Sequence, residues 1–257
     1  MNKITILLIF ISFFCTSLSA FSESNDTIPR VSHFRTSVSA TTKGISMIPT
    51  FTLGKPAALI EMSMGRNISF DPQFRISMEG KPWSFVFWLR YKVPLKSKFQ
   101  FTGGIHPAFS FKPVKVTSGE TTEEVMTVRR YLAGEIVPNY FISKNTSIGI
   151  YYLYSHGIDK HAVNNTHFLT INAGFNHIGT GTNFYLKFYP QLYYLNTANT
   201  YGYYFTYTLT LAHNKLPFSV SSLINKAIET HIKGSDDFVW NISLTYTFNK
   251  NYIPRRA

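Results

Sequence analysis

A two-residue rhythm returns along almost the whole of this chain, and it limits the possible folds more than any other feature. It is clearest in FVWNISLTYTF, residues 238 to 248. There Phe238, Trp240, Ile242, Leu244, Tyr246 and Phe248 share one face, and Val239, Asn241, Ser243, Thr245 and Thr247 share the other. Alternation of this period marks a strand with one oily and one polar side. Further alternating segments fall at 217–230, 201–212, 182–195, 164–177, 146–156, 123–142, 98–112, 82–93, 67–78, 57–64 and 43–53, giving twelve strands in all. The expected class is all-β, with about 12 strands and a range of 10 to 14. A sheet laid over a soluble core would alternate in the same way, so what the oily face meets has to be argued from the rest of the chain.

The N-terminus, MNKITILLIFISFFCTSLSAFS, has one lysine, an apolar run from Ile4 to Cys15, and the small residues Ser17, Ser19 and Ala20. These are the three parts of a secretory signal, with cleavage expected near Ala20. Cys15 is the only cysteine, and the bulky Phe14 before it does not suit a lipoprotein cleavage site. An exported chain without disulfides must draw its stability from a large, regular hydrogen-bonded framework. After the signal no apolar run approaches the roughly 18 residues of a membrane helix. If the chain enters a membrane it does so as a barrel, and aromatic residues at 16% of the sequence suit one lipid face and one wet face.

The formal net charge is +12, one unit less once Lys3 leaves with the signal. The lysines and arginines are scattered singly, without a basic helix or cluster, which argues against nucleic acid as the partner. Lipid phosphates and anionic solutes are the better candidates.

The connections between strands alternate in character. GRN, VPLKSK, SKN, HIGTG and HNKLP are short and rich in turn residues, whereas VKVTSGETTEE, GIDKHAVNN, NTANT and HIKGSDD are on average longer and more polar. Short turns on one side and long loops on the other are the asymmetry of an outer-membrane barrel. The faces agree: in 67–78, Ile68, Phe70, Phe74, Ile76 and Met78 oppose Ser69, Asp71, Gln73, Arg75 and Ser77. Open sheet edges do not survive in hydrocarbon, so the strands are expected to form a closed antiparallel transmembrane β-barrel.

The chain therefore resembles bacterial outer-membrane β-barrel proteins of the small porin-like or transporter-like class. The resemblance rests on the signal peptide, the alternating strands and the terminal FVWNISLTYTF, and it covers the mature chain from about Lys43 to Phe248. It implies an outer-membrane location, contact with outer-membrane lipids, and recognition of the last strand by the assembly machinery. The assembly signal then falls on Trp240, Tyr246 and Phe248, although here NKNYIPRRA follows the terminal aromatic. The organisation expected is a signal peptide (1–20), an N-terminal tail, lumenal plug or extra strand (21–42), the barrel (43–248) and a C-terminal tail (249–257). The extra-strand option arises because Phe34, Thr36, Val38 and Ala40 alternate weakly with Arg35, Ser37 and Ser39. A proline unit recurs as IPTF, DPQF, HPAF, VPNY and YPQL. Its prolines fall on the aromatic face, where bulges or unpaired positions are expected.

No GxSxG elbow, HExxH helix, phosphate-binding glycine loop or CxxC pair occurs. His106 and Ser110 lie on one inward face, but residues four apart on a strand are separated by about 13 Å, too far for a nucleophile and its base. His156, Asp159, His161 and His167 gather near one loop but are expected to be solvated, so no metal and no cofactor is predicted. Alternation sends Glu61, Asp71, Arg75, Arg90, Lys92, His106, Arg129, Glu135 and Lys187 into the lumen. With bases outnumbering acids there, the functional expectation is a passive channel or transporter for a small solute, mildly preferring anions. A lipid-modifying hydrolase and a structural or adhesive barrel are the alternatives.

Overall fold

The computed structural model describes residues 32–252 apart from 96, 119–120 and 180–182. The expected signal peptide and the end of the C-terminal tail lie outside the described residues. Twelve strands follow one another: β1 (Ser32–Thr41), β2 (Ala57–Gly65), β3 (Ile68–Ser77), β4 (Pro82–Val93), β5 (Phe99–Ser118) and β6 (Thr121–Phe141) form the first half. The second half comprises β7 (Thr146–Gly157), β8 (Asn165–Gly179), β9 (Phe184–Thr197), β10 (Thr200–His213), β11 (Phe218–Thr230) and β12 (Phe238–Tyr252). Each strand pairs antiparallel with its sequence neighbours, and β1 closes on β12 from Ser32↔Tyr252 to Thr41↔Ser243. No edge is left for water to satisfy, as a structure in lipid requires.

The outside of the cylinder is apolar. Ile68, Ile105, Ile171 and Ile228 are each at least 60% exposed, a level that makes sense only against lipid. Aromatic rings pair across strands on the same surface, as in Phe74 with Phe85 at 5.2 Å and Phe85 with Phe111 at 4.8 Å between centroids. Arg130 and Lys226 break the apolar outer face, both close to the far rim, the end opposite the two strand termini Ser32 and Tyr252.

The strand count matches the expectation, but one member differs. Segment 43–53 is not a strand; apart from one isolated bridge, Ile45↔Thr52, it is an irregular connection between β1 and β2. Pro49 and Pro56 interrupt it, Gly54 takes φ 75°, and the Phe51 amide turns back to donate to the Ile48 carbonyl. Its apolar residues copy the composition of a strand without its hydrogen bonding. The weak alternation of 34–40 is the true first strand, within the segment for which an extra strand was one option. At the other end β12 runs past Phe248 to Tyr252, because Asn249–Tyr252 have Ser32–Arg35 to pair with.

The recurring proline leaves a regular mark on the ladders. Between β2 and β3 the register passes from Glu61↔Gln73 to Met64↔Phe70 without slipping, and the pair that would contain Pro72 is missing. Pro107 leaves the same gap between β4 and β5, Pro138 between β6 and β7, and Pro190 between β8 and β9. On its other side each proline stays in register, opposite Phe87, Leu132, Phe101 and Tyr207 respectively. The ring has no N–H to give, so one ladder opens locally while the other holds.

Candidate functional site

The inward face holds a compact charged cluster built by five consecutive strands, β3 to β7. Arg90 on β4 donates from Nη1 to Asp71 Oδ2 at 2.9 Å and from Nε to Glu135 Oε1 at 2.6 Å. Tyr151 donates its hydroxyl to Glu135 Oε2 at 2.7 Å. The guanidinium lies 4.2 Å from the Trp88 ring centroid, and Trp88 packs against His106 at 3.9 Å. Gly104 makes room for the cluster, since a Cβ there would stand 2.9 Å from Glu135 Oε1 and 3.1 Å from Arg90 Cγ. With two carboxylates on one guanidinium, Arg90 is a crosslink of the wall rather than a free cation facing a pathway. Arg75 is buried beside it, donating to Gln73 Oε1 at 2.8 Å.

Above this cluster, toward the far end, the lumen is packed. Ile48 from the β1–β2 connection enters a cluster with Trp88, Leu153, Phe168, Tyr193 and Tyr204. Met47 rests on Tyr151, and Thr50 Oγ1 lies 2.7 Å from the Tyr193 hydroxyl. Tyr193 itself donates to Asn225 Oδ1 at 2.7 Å, so its remaining lone pair accepts the Thr50 proton. Asn241 ties the start of the connection, donating to Thr41 Oγ1 at 2.7 Å. Segment 42–56 thus closes the lumen from the far end.

The terminal end is different. Along β9 the inward residues pass from buried Leu195 and Tyr193 to half-buried Gln191, to Tyr189 at 39% exposed, and to half-buried Lys187 and Tyr185. Along β10 buried Tyr204 and Thr206 give way to half-buried Thr208 and Thr210. On β12 buried Val239 and Asn241 give way to Ser243, Thr245 and Thr247. An inward side chain can be this accessible only beside open space. A hydroxyl-rich vestibule therefore opens on the terminal side along β9–β12 and β1, while Ser69, Asp71 and Thr102 opposite stay buried.

Of the residues expected in the lumen, Asp71, Arg75, Arg90, His106 and Glu135 come together on adjoining strands. Glu61 stands on β2 between Ser37 and Gln73, near Arg75. Lys92 is exposed at the terminal end, Arg129 lies toward the far rim opposite Ser110, and Lys187 belongs to the vestibule. Trp240, Tyr246 and Phe248 are outward and exposed, with Phe248 edge-on to Phe34 at 6.2 Å across the closing seam. The loop residues considered for metal go separate ways. Asp159 clamps Arg130, His167 Nδ1 meets the Tyr152 hydroxyl at 2.9 Å, and His156 Nδ1 meets Asn165 Oδ1 at 3.2 Å. Alternation alone does not single out Met47, Ile48, Thr50, Tyr193 or Arg35, and IPTF reads as part of a strand.

A closed antiparallel cylinder, apolar outside and polar within, defines an integral β-barrel of the bacterial outer-membrane kind. No family model matches the sequence, and no curated protein does. Among solved structures it is similar to a KdgM porin in complex with disordered oligogalacturonate, at 9% identity over 84% of this chain and 99% of that one, TM-score 0.48. An outer membrane channel from Pseudomonas putida F1 gives 6% identity over 90% and 98%, TM-score 0.49. LpxR from Salmonella typhimurium gives 9% over 82% and 99%, TM-score 0.44. These likenesses are of barrel shape only.

Proposed function

We propose that this protein is an outer-membrane conduit for small solutes, mildly preferring anions and held shut by segment 42–56. The observation that carries the reading is the contrast along the lumen. One end is an accessible polar vestibule, and the other is closed by a connecting segment rather than by the strands themselves. A barrel with a purely structural role needs no accessible hydroxyl-lined interior, and a filled one would be sealed along its length. In this reading residues 1–20 are removed on export, the terminal end faces the periplasm, and the assembly machinery recognises the last strand through Phe248. The preference for anions is assigned to Arg35 and Lys187, because Arg90 is neutralised by its two carboxylates.

Conductance in planar bilayers tests this. Wild-type protein is expected to conduct rarely, and a variant with 45–53 replaced by a short glycine-serine linker is expected to conduct steadily. Absence of current in that variant, folded as judged by heat-modifiable migration in SDS gels, would sink the channel reading.

A further inference from the structure

We propose that the turns of the terminal end form a binding site for the phosphate-bearing head of an anionic phospholipid, held at the rim of the barrel by Arg66, Lys92, Lys98 and Lys144. The site goes beyond the conduit reading and shares with it only the seating of the barrel in a membrane.

The two ends of the barrel differ in charge. In the described residues of the connections every carboxylate is at the far end, on Glu79, Asp159, Asp236 and Asp237. Cations stand among them there, and Glu79 meets Lys55 at 2.6 Å while Asp159 meets Arg130 at 2.5 Å. The terminal-end turns 65–68, 93–99, 141–146 and 213–218 carry Arg66, Lys98, Lys144 and Lys215, and no carboxylate among the described residues. Lys92, exposed at the end of β4, adds to them. The acids nearest to these turns along the strands are Asp71, buried and bonded to Arg90, and Glu61, inward at the level of Gln73. Arg66, Lys92, Lys98 and Lys144 are all exposed, and none is in an ion pair among the described residues.

Backbone bonds and shared grooves bring these four cations together. The Lys92 N–H donates to the Asn67 carbonyl at 2.7 Å, which fastens the β2–β3 turn to the end of β4. The Phe141 N–H donates to the Lys98 carbonyl at 2.7 Å, which fastens the start of β5 to the end of β6. Arg66 and Lys92 line one groove of about 320 Å³, and Lys98 and Lys144 line a second of about 680 Å³. Leu95, Ser97 and Phe141 line both, so the grooves adjoin across the β4–β5 turn.

The apolar walls define what kind of anion fits. Phe99, paired with Tyr140 on the outer surface, lines one groove, and exposed Ile142 lines the other. Ile68 and Tyr91 pair on the same outer surface at this level. The grooves therefore run from apolar surface that meets acyl chains to cations just beyond it, at the depth of a leaflet's phosphates. A soluble anion would use the cations alone, and an acidic protein would leave the apolar walls unused, whereas an anionic lipid uses both. Long lysine and arginine stems lie along apolar surface while the charge stays at the level of the head groups. Each basic side chain close to an anionic membrane surface strengthens attachment about fivefold.

Native mass spectrometry of the protein folded in zwitterionic detergent tests the site, with phosphatidylglycerol and phosphatidylcholine of equal chain length offered together. Wild type is expected to retain phosphatidylglycerol over phosphatidylcholine by roughly tenfold or more. The variant combining Arg66→Gln, Lys92→Gln, Lys98→Gln and Lys144→Gln, folded as judged by heat-modifiable migration, should lose the preference. Lys55→Gln, Lys81→Gln, Lys160→Gln and Lys233→Gln together remove the same charge at the far end and should keep it. Equal retention of the two lipids by wild type would overturn the proposal, as would an unchanged preference in the terminal-end variant or its loss in the far-end variant. Displacement of the lipid by an equal concentration of glycerol phosphate would reassign the cations to a soluble anion, and displacement by polyglutamate would reassign them to an acidic protein; either result removes the lipid site. None of these readouts involves current, so a barrel that stays silent in bilayers but keeps its preference for phosphatidylglycerol would sink the conduit and leave the site.

Discussion

Thr50 Oγ1 and the Tyr193 hydroxyl, 143 residues apart in sequence, meet at 2.7 Å in the buried interior of the barrel. The bond joins the irregular inward segment 42–56 to the wall at β9, where Tyr193 also holds Asn225 and stacks on Tyr204 at 4.8 Å. Closure of the lumen is fastened at a place where a phenol is already oriented by two other contacts.

Tyr193→Phe keeps the ring and its stacking but deletes the fastener and leaves Thr50 without its acceptor. A buried neutral hydrogen bond is worth about 1 kcal/mol net, so the closed state should lose roughly fivefold in population relative to open states. Single-channel recording checks this: openings should be several times more frequent than in wild type, with unchanged amplitude. Ile48→Ser should act in the same direction and more strongly, because it places an unpaired hydroxyl in an apolar cluster.

The central ion cluster makes a prediction about stability. Arg90→Met leaves Asp71 and Glu135 facing each other without their shared cation, and breaking a buried pair in this way costs about 3–5 kcal/mol. Urea unfolding from lipid vesicles should show the loss. The triple change Arg90→Met, Asp71→Asn and Glu135→Gln removes the stranded charges together and should recover much of it. Ion selectivity should move little with that triple variant, in contrast to Lys187→Gln.

The architecture could be read from sequence because a strand's two faces are written at a period of two. FVWNISLTYTF and the segments around Phe70 and Phe109 needed only that period. Segment 43–53 misled because its Ile48 is apolar for a different reason: it packs in the lumen among Trp88, Phe168 and Tyr193, not on a lipid face. The tyrosine clusters show the same ambiguity. Tyr152 and Tyr194 turn outward, while their neighbours Tyr151 and Tyr193 turn inward and hold the closure together. Alternation can assign those directions, but it cannot say that Thr50 will be the residue waiting inside. The pairing of Arg90 with two carboxylates was also out of reach, since it joins β3, β4 and β6 through a register that no single strand encodes.

Acid should loosen one outer connection selectively. The Arg130 guanidinium, together with the Arg130 backbone N–H, holds the Asp159 carboxyl below the usual aspartate range. A carboxylate favoured in the folded state stabilises it fully above the unfolded value of about 3.9. That contribution is lost as the pH falls through the lower folded value. Amide hydrogen exchange across 158–164, corrected for intrinsic rate, should therefore accelerate below about pH 4. Asp159→Asn should show fast exchange at every pH, and a wild-type profile flat from pH 7 to pH 3 would show that the clamp does not hold this loop.

The closing seam governs the last prediction. Phe248 meets Phe34 edge-on at 6.2 Å, and beyond it Asn249–Tyr252 continue the ladder against Ser32–Arg35. The aromatic contact covers apolar surface on the lipid side, whereas the extension adds backbone hydrogen bonds at the terminal rim. Phe248→Ser loses the contact and the terminal aromatic together, so folded, heat-modifiable protein in the outer membrane should fall severalfold. Truncation after Asn251 removes only Tyr252 from the described ladder and should matter much less. Phe34→Leu isolates the seam from the recognition of Phe248, because it weakens the contact but leaves the last strand unchanged. If recognition dominates, Phe34→Leu assembles like wild type while Phe248→Ser does not. Equal folded levels in all three variants would show that neither the seam contact nor the terminal aromatic carries assembly information.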